Sequence, residues 1–176
     1  IQPKESYPER AAALCREEGL QTLLFEDRVM PVASFRTYEK AVPAKLIPAE
    51  DAFVVLREVK EEEEVSRIVA AQRIAEKALE ELLPMIRPGA VERELAAELD
   101  YRMARLGSTG VSFETIFVSG AKSSMPHGRP GDKKIEAGDF VTIDFGAMVG
   151  GYHSDMTRTV AVGFATDEMK RVYNTV

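Results

Sequence analysis

The stretch "VTIDFGAMVGGYHSDMTRTV", residues 141–160, sets Asp144 and Asp155 on either side of a glycine pair in otherwise apolar, β-branched surroundings. Apolar runs on both sides of Gly150 and Gly151 predict paired strands over 140–148 and 152–162. A two-residue turn at Val149-Gly150 places the two acids directly opposite each other, with β-carbons roughly 4.5–5.5 Å apart, where like charges destabilise. A turn at Gly150-Gly151 makes them diagonal neighbours on one face, and a three-residue loop without a bulge puts them on opposite faces. Two carboxylates converging among Phe140, Ile143, Phe145 and Val160 need compensation, either a shared proton or cations between them. Hard divalent ions suit carboxylates, and one bridging carboxylate can span two ions about 3.5–4 Å apart. Two solvated acids on an exposed hairpin face fit equally well, so spacing alone leaves both readings open.

Neighbouring residues extend the constellation. His153 and Thr157 flank Asp155 at two-residue steps and share its face. The histidine is a tempting ligand by position but is expected to line the site or support a ligand, and the threonine is placed to hydrogen-bond a metal-bound carboxylate. Arg158 points the other way, where a structural ion pair is expected. His127, between Pro126 and Gly128, reads on its own as a loop residue, and Phe113 as core or as pocket lining.

These residues need elements to hold them. The chain has 176 residues, 45% hydrophobic and 30% charged, enough for one domain or slightly more. A net charge of −6 with no Lys/Arg block argues against nucleic acid or an anionic membrane as partner. Cys15 is the single cysteine, so no intramolecular disulfide forms, and a reducing, cytoplasmic setting is expected. Apolar runs such as "FVVL" are too short to span a bilayer.

"PERAAALCREEG" predicts a helix stopping at Gly19, "TLLFED" a strand, and "KLIPAEDAFVVLREVKEEEE" a linker entering a new domain near residues 51–60. The Glu run 61–64 fits an acidic first helical turn. Val65, Ile68, Ala71, Ala75, Leu79, Leu82 and Ile86 form one apolar face of a helix ended by "RPG". A second stripe, Val91, Leu95, Leu99, Met103 and Leu106, ends at Gly107. "FETIFVSG" then reads as a short strand and 121–132 as a loop. The chain starts at Ile1 without a methionine and stops within "DEMKRVYNTV", an amphipathic helix barely begun, so a fragment or a processed chain is expected.

The ordered string "MPHGRPGDKKIEAGDFVTIDFGAMVGGYHSDMTRTVAVG" resembles the Xaa-Pro branch (Xaa-Pro aminopeptidases and prolidases) of the pita-bread metallopeptidases. The likeness runs back through "KEEEEVSRIVAAQRIAEKALEELLPMIRPG" and "SFETIFVSG", covering about residues 52–176. Methionine aminopeptidases share the fold and the two aspartates, but their loop usually carries Asn or Cys before the histidine. The resemblance implies an α+β fold: the first half of a pita-bread (creatinase/aminopeptidase-like) domain over 51–176, two helices packed on an antiparallel sheet. Residues 1–50 would be the tail of an N-terminal α/β domain plus linker.

It further implies two divalent ions (manganese, cobalt or zinc), with Asp144 on one metal and Asp155 bridging both. His127 would contact the substrate and help stabilise the tetrahedral intermediate. The substrate would be a peptide or dipeptide with proline in second position, and a homodimer is expected. The family's remaining histidine and two glutamate ligands belong to the second half of the fold, so the 176-residue chain alone is expected to be inactive. A pita-bread binding module without metal, a methionine-aminopeptidase-type enzyme and a metal-free hydrolase on the same fold are the competing readings. Retention of both aspartates argues against the first and the last.

Overall fold

Ser6 opens the first helix, its backbone N–H donating to the Glu9 carboxylate at 2.8 Å, which satisfies a group the helix itself leaves orphaned. The structure, a computed structural model, describes residues 5–175. Helix α1 (Tyr7–Glu17) gives way at Gly19, whose φ of +64° suits glycine. Strands β1 (Thr22–Phe25) and β2 (Lys45–Pro48) pair in parallel, and α2 (Val32–Ala41) supplies the crossover that parallel pairing requires. Helix α3 (Ala52–Glu58) follows. Ala12, Cys15, Val42 and Ala44 form a small core of this unit.

The stretch expected to be a linker therefore holds a strand and a helix. The chain divides into compact units after Lys60, ten residues beyond the expected boundary at 50/51. Four-residue strands flanked by proline carry too little periodicity to announce themselves.

The second unit starts at the Glu run. Glu64 accepts a hydrogen bond from the Glu61 N–H at 2.7 Å, and Glu62, Glu63 and Glu64 fill the first turn of α4 (Glu62–Leu82), where the dipole favours acids. A short 3-10 turn over Leu83–Met85 leads to α5 (Glu92–Arg105). Strands β3 (Ile116–Ser119), β4 (Phe140–Phe145) and β7 (Met156–Ala161) form an antiparallel sheet in the order β3-β4-β7. Two short strands, β5 (Met148–Val149) and β6 (Tyr152–His153), extend the β4–β7 hairpin to its tip, and α6 (Asp167–Tyr173) closes the described chain.

The period of two divides the sheet's residues between its faces. Phe117, Val141, Ile143, Phe145 and Met156 are buried in one core with Leu79, Leu82, Leu95, Leu99 and Met103 from α4 and α5. Thr142, Asp144, Thr157 and Thr159 alternate with them and lie on the opposite face. The helices thus hold the sheet from behind and leave the acid-bearing side open. No helix among the described residues is long and apolar enough to cross a membrane.

Candidate active site

The hairpin register decides the relation of the two acids. Asp144 pairs with Thr157, Phe145 with Met156, Met148 with His153, and Val149 with Tyr152. The turn is therefore Gly150-Gly151, with φ of +57° and +82°. A type I′ turn needs positive φ at both central positions, which Val149 would adopt only under strain. The direct-opposite arrangement at Val149-Gly150 is excluded, and Asp144 and Asp155 are diagonal neighbours on one face.

Between β4 and β5 the ladder opens. Ser112 N–H donates to the Gly146 carbonyl and Ser154 N–H to the Ala147 carbonyl, both at 2.9 Å. A β-carbon on Gly146 would stand 1.9 Å from the Ser154 carbonyl oxygen, so the backbones meet there only because residue 146 is glycine. Asp155 follows this contact directly in the chain.

Asp144 and Asp155 line a cavity of about 380 Å³ together with Phe113, Glu114, His127 and Arg129. Asp144 is half-buried and Asp155 exposed. The Thr157 hydroxyl donates to Asp144 Oδ1 at 2.9 Å, so one carboxylate is held in direction. Among the described residues neither acid forms an ion pair, while Arg129 and Glu114 pair with each other at 3.3 Å. That ion pair had no signal in the sequence, because its partners lie on separate loops.

His127 reaches the cavity on the loop between β3 and β4. The Thr142 hydroxyl donates to the Ser123 carbonyl at 3.0 Å, tying the start of that loop to the acid face of the sheet. Gly128 packs against Val118, where an added β-carbon would stand 3.0 Å from the valine Cγ1. The loop can therefore lie flat on the sheet beside the acids.

Two expectations change, for His153 and Arg158, and the choice left open for Phe113 closes. His153 is exposed in β6, near the hairpin tip, and is not among the cavity-lining residues. Phe113 is half-buried and lines the cavity rather than the core. Arg158 donates to the Thr157 carbonyl at 2.8 Å and forms no ion pair among the described residues.

Two carboxyls behind the site also escaped the sequence. Burial pushes the Asp100 carboxyl up, against the Thr115 hydroxyl that donates to it at 2.6 Å. Glu92 is fully buried, which would raise its carboxyl, but hydrogen bonds from Lys122, Ser119 and Gly131 outweigh burial and leave it lowered. A first-turn glutamate ordinarily faces water, so no pattern marks this one as buried.

Carboxylate oxygens without cationic partners, gathered on one face, are the donor set hard divalent ions take. The residues fit such ions as one side of a site. No group of three or more His, Cys, Asp or Glu among the described residues is arranged to hold a metal.

Residues 66–176 match the model of metallopeptidase family M24. The chain is 40% identical over 159 residues to the uncharacterised peptidase YqhT of Bacillus subtilis, covering 90% of this chain and 45% of that protein. It is 37% identical to a Xaa-Pro dipeptidase of Pyrococcus horikoshii, again over 90% of this chain and 45% of the relative. Among solved structures, a Xaa-Pro dipeptidase from Bacillus anthracis superposes with a TM-score of 0.90 at 40% identity, covering 100% of this chain and 50% of that one. An X-Pro aminopeptidase from Thermotoga maritima gives 0.91 at 35% identity, covering 99% and 50%. The chain thus spans about half the length of the relatives it matches.

Proposed function

Because this chain belongs to metallopeptidase family M24, we propose that it supplies one side of a dinuclear metal centre in a peptidase cleaving the bond between an N-terminal residue and a proline. Its α+β architecture is that of half a pita-bread fold. The observation that carries the reading is the convergence of Asp144, Asp155 and His127 on one cavity, with both acids on a single sheet face.

Asp144 would ligate one ion and Asp155 would bridge two, and manganese, cobalt and zinc all suit the donors. When bound, such ions polarise a scissile carbonyl and lower the pKa of a water. The chain's own residues do the positioning. Thr157 holds Asp144 Oδ1, leaving the other oxygen free to ligate. His127 stands on the loop beside them, where its imidazole can hydrogen-bond the oxygen that gains charge as the peptide carbonyl becomes tetrahedral. Phe113 gives the cavity an apolar wall that suits a proline ring. The relatives' names divide between dipeptidase and aminopeptidase, and the cavity is compatible with both. The single cysteine supports a cytoplasmic setting.

The test is hydrolysis of Xaa-Pro dipeptides and longer Xaa-Pro peptides by the whole manganese-loaded protein. We expect cleavage at the Xaa-Pro bond, with Asp155→Asn losing metal loading and hydrolysis together. Full activity in that variant would refute the assignment. The 176-residue chain alone, with Asp144 and Asp155 as its metal-binding carboxylates and Glu114 paired with Arg129, is expected to give no measurable turnover even with added manganese.

A further inference from the structure

Glu92 lies in the first turn of α5, fully buried, among apolar neighbours Leu95, Ala96 and Leu99 that make no use of a charge. Its two oxygens face different segments. Oε1 accepts from the Ser119 backbone N–H at 2.8 Å and the Ser119 hydroxyl at 2.9 Å, at the end of β3. Oε2 accepts from Lys122 Nζ at 2.9 Å and from the Gly131 N–H at 3.1 Å. Lys122 also donates to the Arg129 carbonyl at 2.9 Å, two residues past His127. Arg93 N–H donates to the Gly131 carbonyl at 3.1 Å. One carboxylate therefore gathers both ends of the segment that carries the histidine. Charge-assisted bonds of this kind are the strong ones, and the α5 N-terminus favours the negative charge.

We infer that Glu92, with Lys122 as its counter-charge, is a positioning residue: a clasp that fixes His127 beside the acid face by closing the loop over residues 119–131. The role in turnover rests on the Xaa-Pro peptidase reading, whereas the clasp itself does not. Without the clasp the loop keeps its Thr142 and Gly128 contacts at the sheet and the backbone bonds from Glu92 and Arg93 to Lys133 and Gly131. It loses the charge-assisted tie that joins its two ends through one carboxylate.

Glu92→Gln in the whole protein separates the two attachments. Its amide oxygen still accepts from Ser119, while its NH2 meets two donors, Lys122 and Gly131, and releases the loop. Hydrogen exchange of amides 123–131 should accelerate at least about tenfold, with the α5 amides from Leu95 onward, which do not bond the loop, unchanged. Manganese affinity should hold, since neither aspartate is touched, while kcat on an Xaa-Pro peptide falls at least about tenfold. Combined with His127→Ala, Glu92→Gln should add no further loss, because both act through one imidazole. Losses that multiply, or loop amides as protected as in the wild type, overturn the clasp. Lys122→Gln, a milder change at a partly exposed side chain, gives the same readouts where Glu92→Gln does not fold. A wild-type protein without Xaa-Pro hydrolysis would sink the functional reading, and loop exchange alone would then judge the clasp.

Discussion

Thr157 sits directly across the ladder from Asp144, and its hydroxyl holds Oδ1 at 2.9 Å. A lone carboxylate rotates about its last torsion, and a ligand must not. Replacing Thr157 by valine keeps the β-branched shape on the strand and removes the donor. Manganese affinity of the whole protein, measured by calorimetry, should fall about tenfold, at the mild end of what losing a ligand's supporting hydrogen bond costs. Unchanged affinity would mean that Asp144 is oriented by something else. The residue types at Asp144 and Asp155 raised the metal question from sequence alone, but spacing left it undecided. His127 drew notice only through the motif around it, since a histidine between proline and glycine has no chemistry of its own.

The β4–β7 hairpin is the element that turns those residue types into a site, and Gly146 is where it is most constrained. An alanine there would drive a methyl group into the Ser154 carbonyl oxygen, a backbone atom that cannot swing aside. Gly146→Ala should therefore destabilise by about 2 kcal/mol or more and spread the strands just before Asp155, read as a lower urea midpoint. Gly151→Asn is the control: nothing lies within 4 Å of its added β-carbon, and asparagine tolerates the φ of +82°, so the midpoint should barely move. Elements with strong periodicity were legible: the stripes of α4 and α5 predict Leu79, Leu82, Leu95, Leu99 and Met103 in the core, where they lie. The turn was legible in principle, because two adjacent glycines match a type I′ turn better than a valine-glycine pair. The segment 45–58 was not, since a four-residue strand and a seven-residue helix span too few periods to register. Glu92 was hidden for a different reason. Its burial arises from a loop that arrives some 27 residues later in sequence, and helical periodicity cannot report such a contact.

At the scale of the whole molecule, two of the shifted carboxyls, those withdrawn from solvent, pull the pH dependence of stability in opposite directions. Glu9 and Glu76, also lowered, lie at the surface and act alike in every variant below. Burial raises the Asp100 carboxyl above its ordinary 3.8, with Thr115 only partly offsetting it. A raised carboxyl binds its proton more readily in the folded state, so its protonation as pH falls toward that folded value favours folding. Glu92 runs the other way: burial opposes the charge, but Lys122, Ser119 and Gly131 leave its carboxyl below the ordinary 4.5. Its contribution is complete above 4.5 and is lost as pH falls below that through its folded value. Urea midpoints taken from pH 7 to pH 3 should therefore hold or rise slightly at first and then drop. Asp100→Asn should remove the early rise and keep the drop. Lys122→Gln weakens the bonds that lower Glu92, so it should shrink the drop and leave the rise, separating the two carboxyls without introducing a new buried group. A net charge of −6 adds a general relief of repulsion on acidification, but it is nearly common to all variants and cancels in the comparison. Should Asp100→Asn and Lys122→Gln change the same limb of the curve, the assignment of opposite signs to these two carboxyls is wrong.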